Sequence, residues 1–144
     1  MYNSEYFMKI ALKEAETAFK QNEVPIGAII VCNNTVIAKA YNQTELLTDV
    51  TAHAEILAIT AAQEYLHNKI LDKCTLYVTL EPCLMCAGAL YWSRIGKVVF
   101  GAFDKKRGYS TFTEKALHPK TKLETGVMEK EALTLLQDFF KNKR

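Results

Sequence analysis

Apolar and polar positions along the chain switch between two periods, and the switches mark the elements. Over 6–19, Phe7, Ile10, Ala11, Ala15, Ala18 and Phe19 recur at helical spacing, with Asn3 and Ser4 ahead of them as possible caps. Val24-Pro25 ends that helix. The β-branched runs 26–32 and 35–41 flank Asn33-Asn34, a pair that tolerates positive φ, so they predict a tight antiparallel hairpin ending at Asn42. A polar loop, 43–50, delivers the chain to a second helix over 53–66. A strand over 74–80, a helix from Pro82-Cys83 to about Ser93 and a strand over 97–102 then follow in turn, which is a crossover pattern with parallel pairing. Beyond it the pattern predicts only a short helix over 113–117 and a short edge strand over 122–125. The chain closes in a helix over 129–141, with Ala132, Leu133, Leu136, Phe139 and Phe140 on one face. With no repeats, linker or low-complexity tract, residues 1–144 are expected to form one three-layer α/β/α domain.

Composition narrows the class. Of 144 residues, 49% are apolar and 24% charged, ordinary for a globular protein. No apolar run approaches the roughly 18 to 20 residues that span a bilayer, and Met1-Tyr2-Asn3-Ser4-Glu5 has no basic region leading into an apolar stretch. The expectation is a cytoplasmic protein without membrane contact. A net charge of +2 does not by itself argue for nucleic acid, but Lys105-Lys106-Arg107 and Lys141-Asn142-Lys143-Arg144 are local basic clusters. Either can equally be a solvated surface.

Four cysteines without an export signal favour metal binding over disulfides. Cys32 and Cys74 lie in strand-like apolar runs and are expected to be buried small hydrophobes. Cys83 and Cys86 differ. Pro82 fits a first helical turn, residues three apart project together, and a helix N-terminus favours thiolate. His53-Ala54-Glu55 adds an imidazole and a carboxylate. Zinc held by His53, Cys83 and Cys86 keeps a position for water and brings its pKa to about 7. Glu55 points about 200° from His53 by helical periodicity, so it does not share the metal, yet it can carry protons above it. Such a centre suits hydrolytic removal of an amino group from an aromatic ring. Alone, a Cys-x-x-Cys is often structural or redox, and a helical histidine is often a plain packed residue. The two halves on successive helices, with a strand between, are far rarer by chance.

His-x-Glu followed by Pro-Cys-x-x-Cys resembles the zinc-dependent cytidine and nucleotide deaminase superfamily. Glu23-Val24-Pro25-Ile26-Gly27-Ala28, Thr51-Ala52-His53-Ala54-Glu55, 76–83, 85–89 and 93–102 are similar to the bacterial tRNA adenosine deaminases, a likeness covering nearly the whole chain. The resemblance implies a cytidine-deaminase-like fold with a central mixed five-stranded sheet. It implies a homodimer with one Zn2+ per subunit that converts adenosine to inosine at the first anticodon position of a tRNA. Asn42, otherwise a turn residue closing the hairpin, is then a contact to the target nucleoside, and Val24 and Ala54 line its pocket. Lys105, Lys106 and Arg107 would meet phosphates of the anticodon stem-loop, with Tyr109 or Phe112 offering a face to an unstacked base.

The chain departs from that family pattern in places. Val50 stands where a proline is common and Ala132 where a cysteine is frequent. The stretch 103–112 is bulkier and more basic, and 118–122 is shorter. Two other readings keep the scaffold but change the use. A deaminase of free guanine- or cytosine-type bases or nucleosides needs a carboxyl-terminal aromatic or carboxylate folded over the ligand. A noncatalytic zinc domain needs a fourth ligand, for which His67 and His118 are the candidates. Met85, Leu90, Tyr91 and Trp92 are candidates for a dimer interface, with packing in the core as their plain alternative.

Overall fold

The computed structural model describes residues 1–143. Helix α1 (Ser4–Lys20) begins at Asn3, whose Oδ1 accepts from the Tyr6 amide at 2.8 Å and so satisfies one of the open donors of the first turn. Strands β1 (Gly27–Cys32) and β2 (Thr35–Tyr41) form the expected hairpin. Asn33 and Asn34 both lie in the left-handed region, at φ 53° and 62°, which matches the turn to the twist of the strands. Then come α2 (Ala54–Leu66), β3 (Cys74–Leu80), α3 (Leu84–Ser93), β4 (Lys97–Ala102), β5 (Lys122–Thr125) and α4 (Glu129–Lys141).

The five strands make one mixed sheet in the order β2-β1-β3-β4-β5. β1 runs antiparallel to β2 and β3, whereas β3, β4 and β5 are parallel. Side chains alternate across the central strands, and both faces are covered. Ala28, Ile30, Leu76, Val78, Val98 and Phe100 pack toward α2 and α3. Ile29, Val31, Tyr77 and Val99 pack toward α1, and Ala132 of α4 joins that side. That is why these strands read as nearly continuous apolar runs. Gly27 lets α1 lie directly on β1, since a Cβ there would run into the backbone of Ala11 and Ala15.

Cys32 and Cys74 face each other across β1 and β3 as free thiols, Cys74 buried and Cys32 half-buried. Two expectations are corrected. Residues 113–117 are not helical; a single 3-10 turn, Tyr109–Thr111, precedes them instead, because the chain is anchored there by the burial of Tyr109. Pro82 lies outside α3, which starts after Cys83 rather than at the proline. No helix among the described residues is long and apolar enough to cross a membrane.

Because β2 and β3 are both antiparallel to β1, β2, β3 and β4 all end at one edge of the sheet. Asn42, Glu81 and Phe103 therefore leave from the same side, where Val24 also enters β1.

Candidate active site

Two helices begin at this edge. His53 is the N-cap of α2 and Cys83 the N-cap of α3, both in extended backbone, with Cys86 in the first turn of α3. Neither side chain makes a capping hydrogen bond to its helix, and the imidazole and thiol face one another. His53 Nδ1 lies 3.6 Å from Cys83 Sγ and 3.5 Å from Cys86 Sγ. The partial positive charge of the helix starts favours anionic sulfur here.

The electrostatics of the cluster are those of a site short of positive charge. The Cys86 thiol, more than any other neighbour, pushes Cys83 down to about 4, and His53 adds to the effect. Cys86 is pushed up by its hydrogen bond with Cys83 and by burial. The hydrogen bond with Cys83 in turn raises His53 above its ordinary value. Glu55 is 3% exposed, and its burial pushes the carboxyl up to about 7.

These groups open into one cavity of about 550 Å3, lined by Val24, Asn42, His53, Ala54, Glu55 and Cys83 among others. Sequence reasoning had named all six. Asn42 is 5% exposed; its Nδ2 donates to the Val24 carbonyl at 3.4 Å, while its Oδ1 is buried with no partner. A turn residue closing a hairpin has no need of an unsatisfied buried acceptor, which costs free energy unless a ligand supplies the donor.

The basic stretch divides. Lys106 and Arg107 line the cavity, and Lys105 is exposed in the same turn. Phe112 is 64% exposed but does not line the cavity. Tyr109 is corrected: at 3% exposure it belongs to the core beneath α3, so its ring has no face to offer a base. Of the α3 residues offered for an interface, Leu90 packs in the core, its plain alternative, whereas Met85 and Trp92 are exposed.

The candidates for a fourth ligand do not reach the cluster. His67 caps the far end of α2, with the 13 residues of the helix, about 20 Å along its axis, between it and His53. His118 packs against the Tyr91 ring and accepts from the Lys120 amide. Among the described residues the group able to hold a metal is His53, Cys83 and Cys86.

Some lining residues carried no sequence signal of their own. Leu136 and Phe140 read as core positions of α4 yet stand in the cavity wall. Glu23 is 1% exposed and accepts from the amides of Glu45 and Leu46 at 3.1 and 2.7 Å, which holds the loop after β2 against the cavity. Glu81 and Asp104 also line the cavity. Their position beside Pro82-Cys83 and the basic run was the one available hint.

Known proteins of this shape point the same way. The MafB19-like deaminase family matches residues 1–144. The tRNA-specific adenosine deaminase of Aquifex aeolicus is 51% identical over 97% of this chain and 95% of its own. A solved structure from studies of A-to-I editing by tRNA:A34 deaminases at the wobble position superposes with a TM-score of 0.85 at 43% identity, covering 91% of this chain and 99% of that one. The guanine deaminase structure from Bacillus subtilis reaches a TM-score of 0.68 at 39% identity over 71% of this chain and 66% of its own. Similar along nearly its whole length to a tRNA-specific deaminase and over a shorter span to the guanine enzyme, the chain belongs to the family of tRNA-specific adenosine deaminases.

Proposed function

We propose that residues 1–144 act as one deaminase domain that converts adenosine to inosine at the first anticodon position of a tRNA, consuming water and releasing ammonia. The observation that carries the reading is a single cavity lined by two of the three metal donors, His53 and Cys83, by the buried Glu55, by Asn42 with its unpartnered oxygen and by the cationic Lys106 and Arg107, with the third donor, Cys86, buried beside the other two.

The donor set fits zinc. With Zn–S near 2.3 Å and Zn–N near 2.0 to 2.1 Å, a tetrahedral edge between nitrogen and sulfur is about 3.6 Å, and His53 Nδ1 already lies 3.6 and 3.5 Å from the two sulfurs. His53, Cys83 and Cys86 would hold the ion. When bound by one imidazole and two thiolates, zinc lowers the pKa of a water in its remaining position to about 7, which supplies a nucleophile at neutral pH.

The chain's other residues do the rest. Glu55, not among the donors, takes a proton from the attacking water and delivers it to the ring nitrogen beside the amino-bearing carbon. It then takes the proton of the added hydroxyl and passes it to the departing amine, so that the carbonyl forms as the carbon–nitrogen bond breaks and ammonia leaves. A carboxyl poised near neutrality by burial suits both transfers. Asn42 Oδ1 accepts a hydrogen bond from the bound nucleoside, while Val24 and Ala54 form the apolar wall against its base. Lys105, Lys106 and Arg107 meet backbone phosphates, and Phe112 is the exposed aromatic left for stacking.

Deamination of free bases needs a carboxyl-terminal group over the ligand. The α4 side chains lining the cavity are Leu136 and the aromatic Phe140, so the wall alone does not separate the two readings; the cationic Lys106 and Arg107 in the same cavity and the fuller likeness to tRNA-specific deaminases do. The polymer reading is therefore the better supported. The protein would act in the cytoplasm as a homodimer, with the exposed Met85 and Trp92 on α3 as the apolar surface available for pairing.

The experiment is incubation of the purified protein with anticodon stem-loop RNA bearing adenosine at the first anticodon position, followed by mass spectrometry of the nucleosides. Inosine at that position, abolished in Glu55→Ala, is expected. Ammonia release from free guanine or cytosine with the RNA untouched would overturn the reading.

A further inference from the structure

Glu81 takes no part in the proton or metal chemistry above, yet it is 2% exposed and stands just before Pro82-Cys83. Both of its carboxylate oxygens serve one loop. Oε1 accepts from the Asp104 amide at 3.1 Å and Oε2 from the Ser110 amide at 2.9 Å. Those two amides bracket Lys105, Lys106 and Arg107. Within the bracket, Asp104 Oδ1 accepts from the amides of Lys106 and Arg107, each at 3.0 Å, which fixes the turn that carries the cations. Beside it, the Tyr109 amide donates to the Pro82 carbonyl at 2.9 Å, and Cys83 and Gly108 form an isolated antiparallel bridge. Gly108 leaves the space that the carboxylate occupies, since a Cβ there would collide with Glu81 Oε1.

Beyond these ties and the burial of Tyr109, the cationic side chains add nothing that fixes the loop. Lys105, Lys106 and Arg107 are all exposed, and no ion pair involving them occurs among the described residues. The one carboxylate that grips both ends of this loop is attached two residues from a metal donor. Its position couples both ends of the cationic stretch to the start of α3 through one side chain, alongside the backbone ties at Pro82 and Cys83.

We propose that Glu81 is a positioning residue for polyanionic substrate: by clamping both ends of 104–110 against the start of α3, it holds the phosphate-binding cations in fixed register with the reaction centre. The inference rests on the RNA reading given above. The clamp itself is a feature of the free protein and can be tested without substrate.

Glu81→Gln replaces one accepting oxygen with an NH2 group that faces an N–H donor, so one end of the clamp opens. Glu81→Asp keeps the charge, shortens the reach and serves as the second variant should the first fold poorly. Amide exchange in the free protein is expected to quicken at least about tenfold at Asp104 or Ser110 in either variant, with β3 amides unchanged. On anticodon stem-loop RNA, KM is expected to rise about tenfold while kcat stays within about threefold and metal content is unaltered. In a Lys105→Ala, Lys106→Ala, Arg107→Ala background, Glu81→Gln is expected to add less than about twofold, because the cations it would misplace are gone.

Unchanged exchange at both amides would overturn the clamp. Loss of metal, a defect confined to kcat, or an undiminished penalty in the neutralised loop would overturn the positioning role. If the native protein leaves the RNA unreacted, the substrate reading fails on its own, and the exchange measurement still decides whether Glu81 holds the loop.

Discussion

The donor cluster and the basic rim border the same cavity and are built in opposite ways. His53, Cys83 and Cys86 are fixed by the first residues of two helices, each following a loop or strand whose direction the sheet determines. The rim over 103–112 contains one 3-10 turn and takes its shape from carboxylates accepting backbone amides. The first arrangement depends on spacing along the sequence, and the second also on the two bonds to Glu81, 23 and 29 positions away. Chemistry is therefore the stiff part of this site, and substrate contact is the adjustable part.

Substitutions in the two regions should differ in kind. The largest effect is expected for Glu55→Gln, which removes proton transfer and lowers kcat on stem-loop RNA by about 10²- to 10⁴-fold with metal content retained. Loss of the metal in that variant would make Glu55 a structural support of the donors and blur the comparison. Next is Tyr109→Ala, where a buried aromatic of the rim has been assigned to the core. A fall in stability of about 3 to 5 kcal/mol, read as a lower urea midpoint, is expected. An unchanged midpoint with weaker RNA binding would return Tyr109 to the surface.

Neutralising Lys105, Lys106 and Arg107 together is expected to weaken stem-loop binding about tenfold at low salt. The slope of log affinity against log salt should flatten by about 2, since each lost phosphate contact on a single strand contributes about 0.7. The smallest effect on stability, within about 0.5 kcal/mol, is expected for Phe112→Ala. RNA affinity separates its two roles, because a stacked base is worth about 1 to 3 kcal/mol and a solvent-facing ring nothing.

The element pattern was readable because most of it follows from short-range rules. Asn33-Asn34 demanded a tight turn, and the nearly continuous apolar runs of β1, β3 and β4 fit strands covered on both faces. The donors were readable because Pro-Cys-x-x-Cys and His-x-Glu state their spacing. Where the reading went astray, the deciding contacts were distant. Tyr109 looked like an exposed aromatic among charges, but the amide that follows Gly108 is tied to the Pro82 carbonyl, and that tie turns the ring inward. The helix expected over 113–117 lacked any such anchor. Leu136 and Phe140 shared the apolar face of α4 with true core residues, and periodicity alone does not separate a cavity wall from an interior. Glu23 and Glu81 were invisible because their partners are backbone amides, which every sequence offers everywhere.

The strand order has one more consequence. β3 lies at the middle of the sheet, with β2 and β5 at its margins. Fraying begins at margins, so transient opening of the four-residue β5 or of the hairpin's outer strand leaves the mounting of Cys83 intact. A chain that loses order first at its periphery keeps its reactive apparatus assembled until cooperative unfolding takes everything at once.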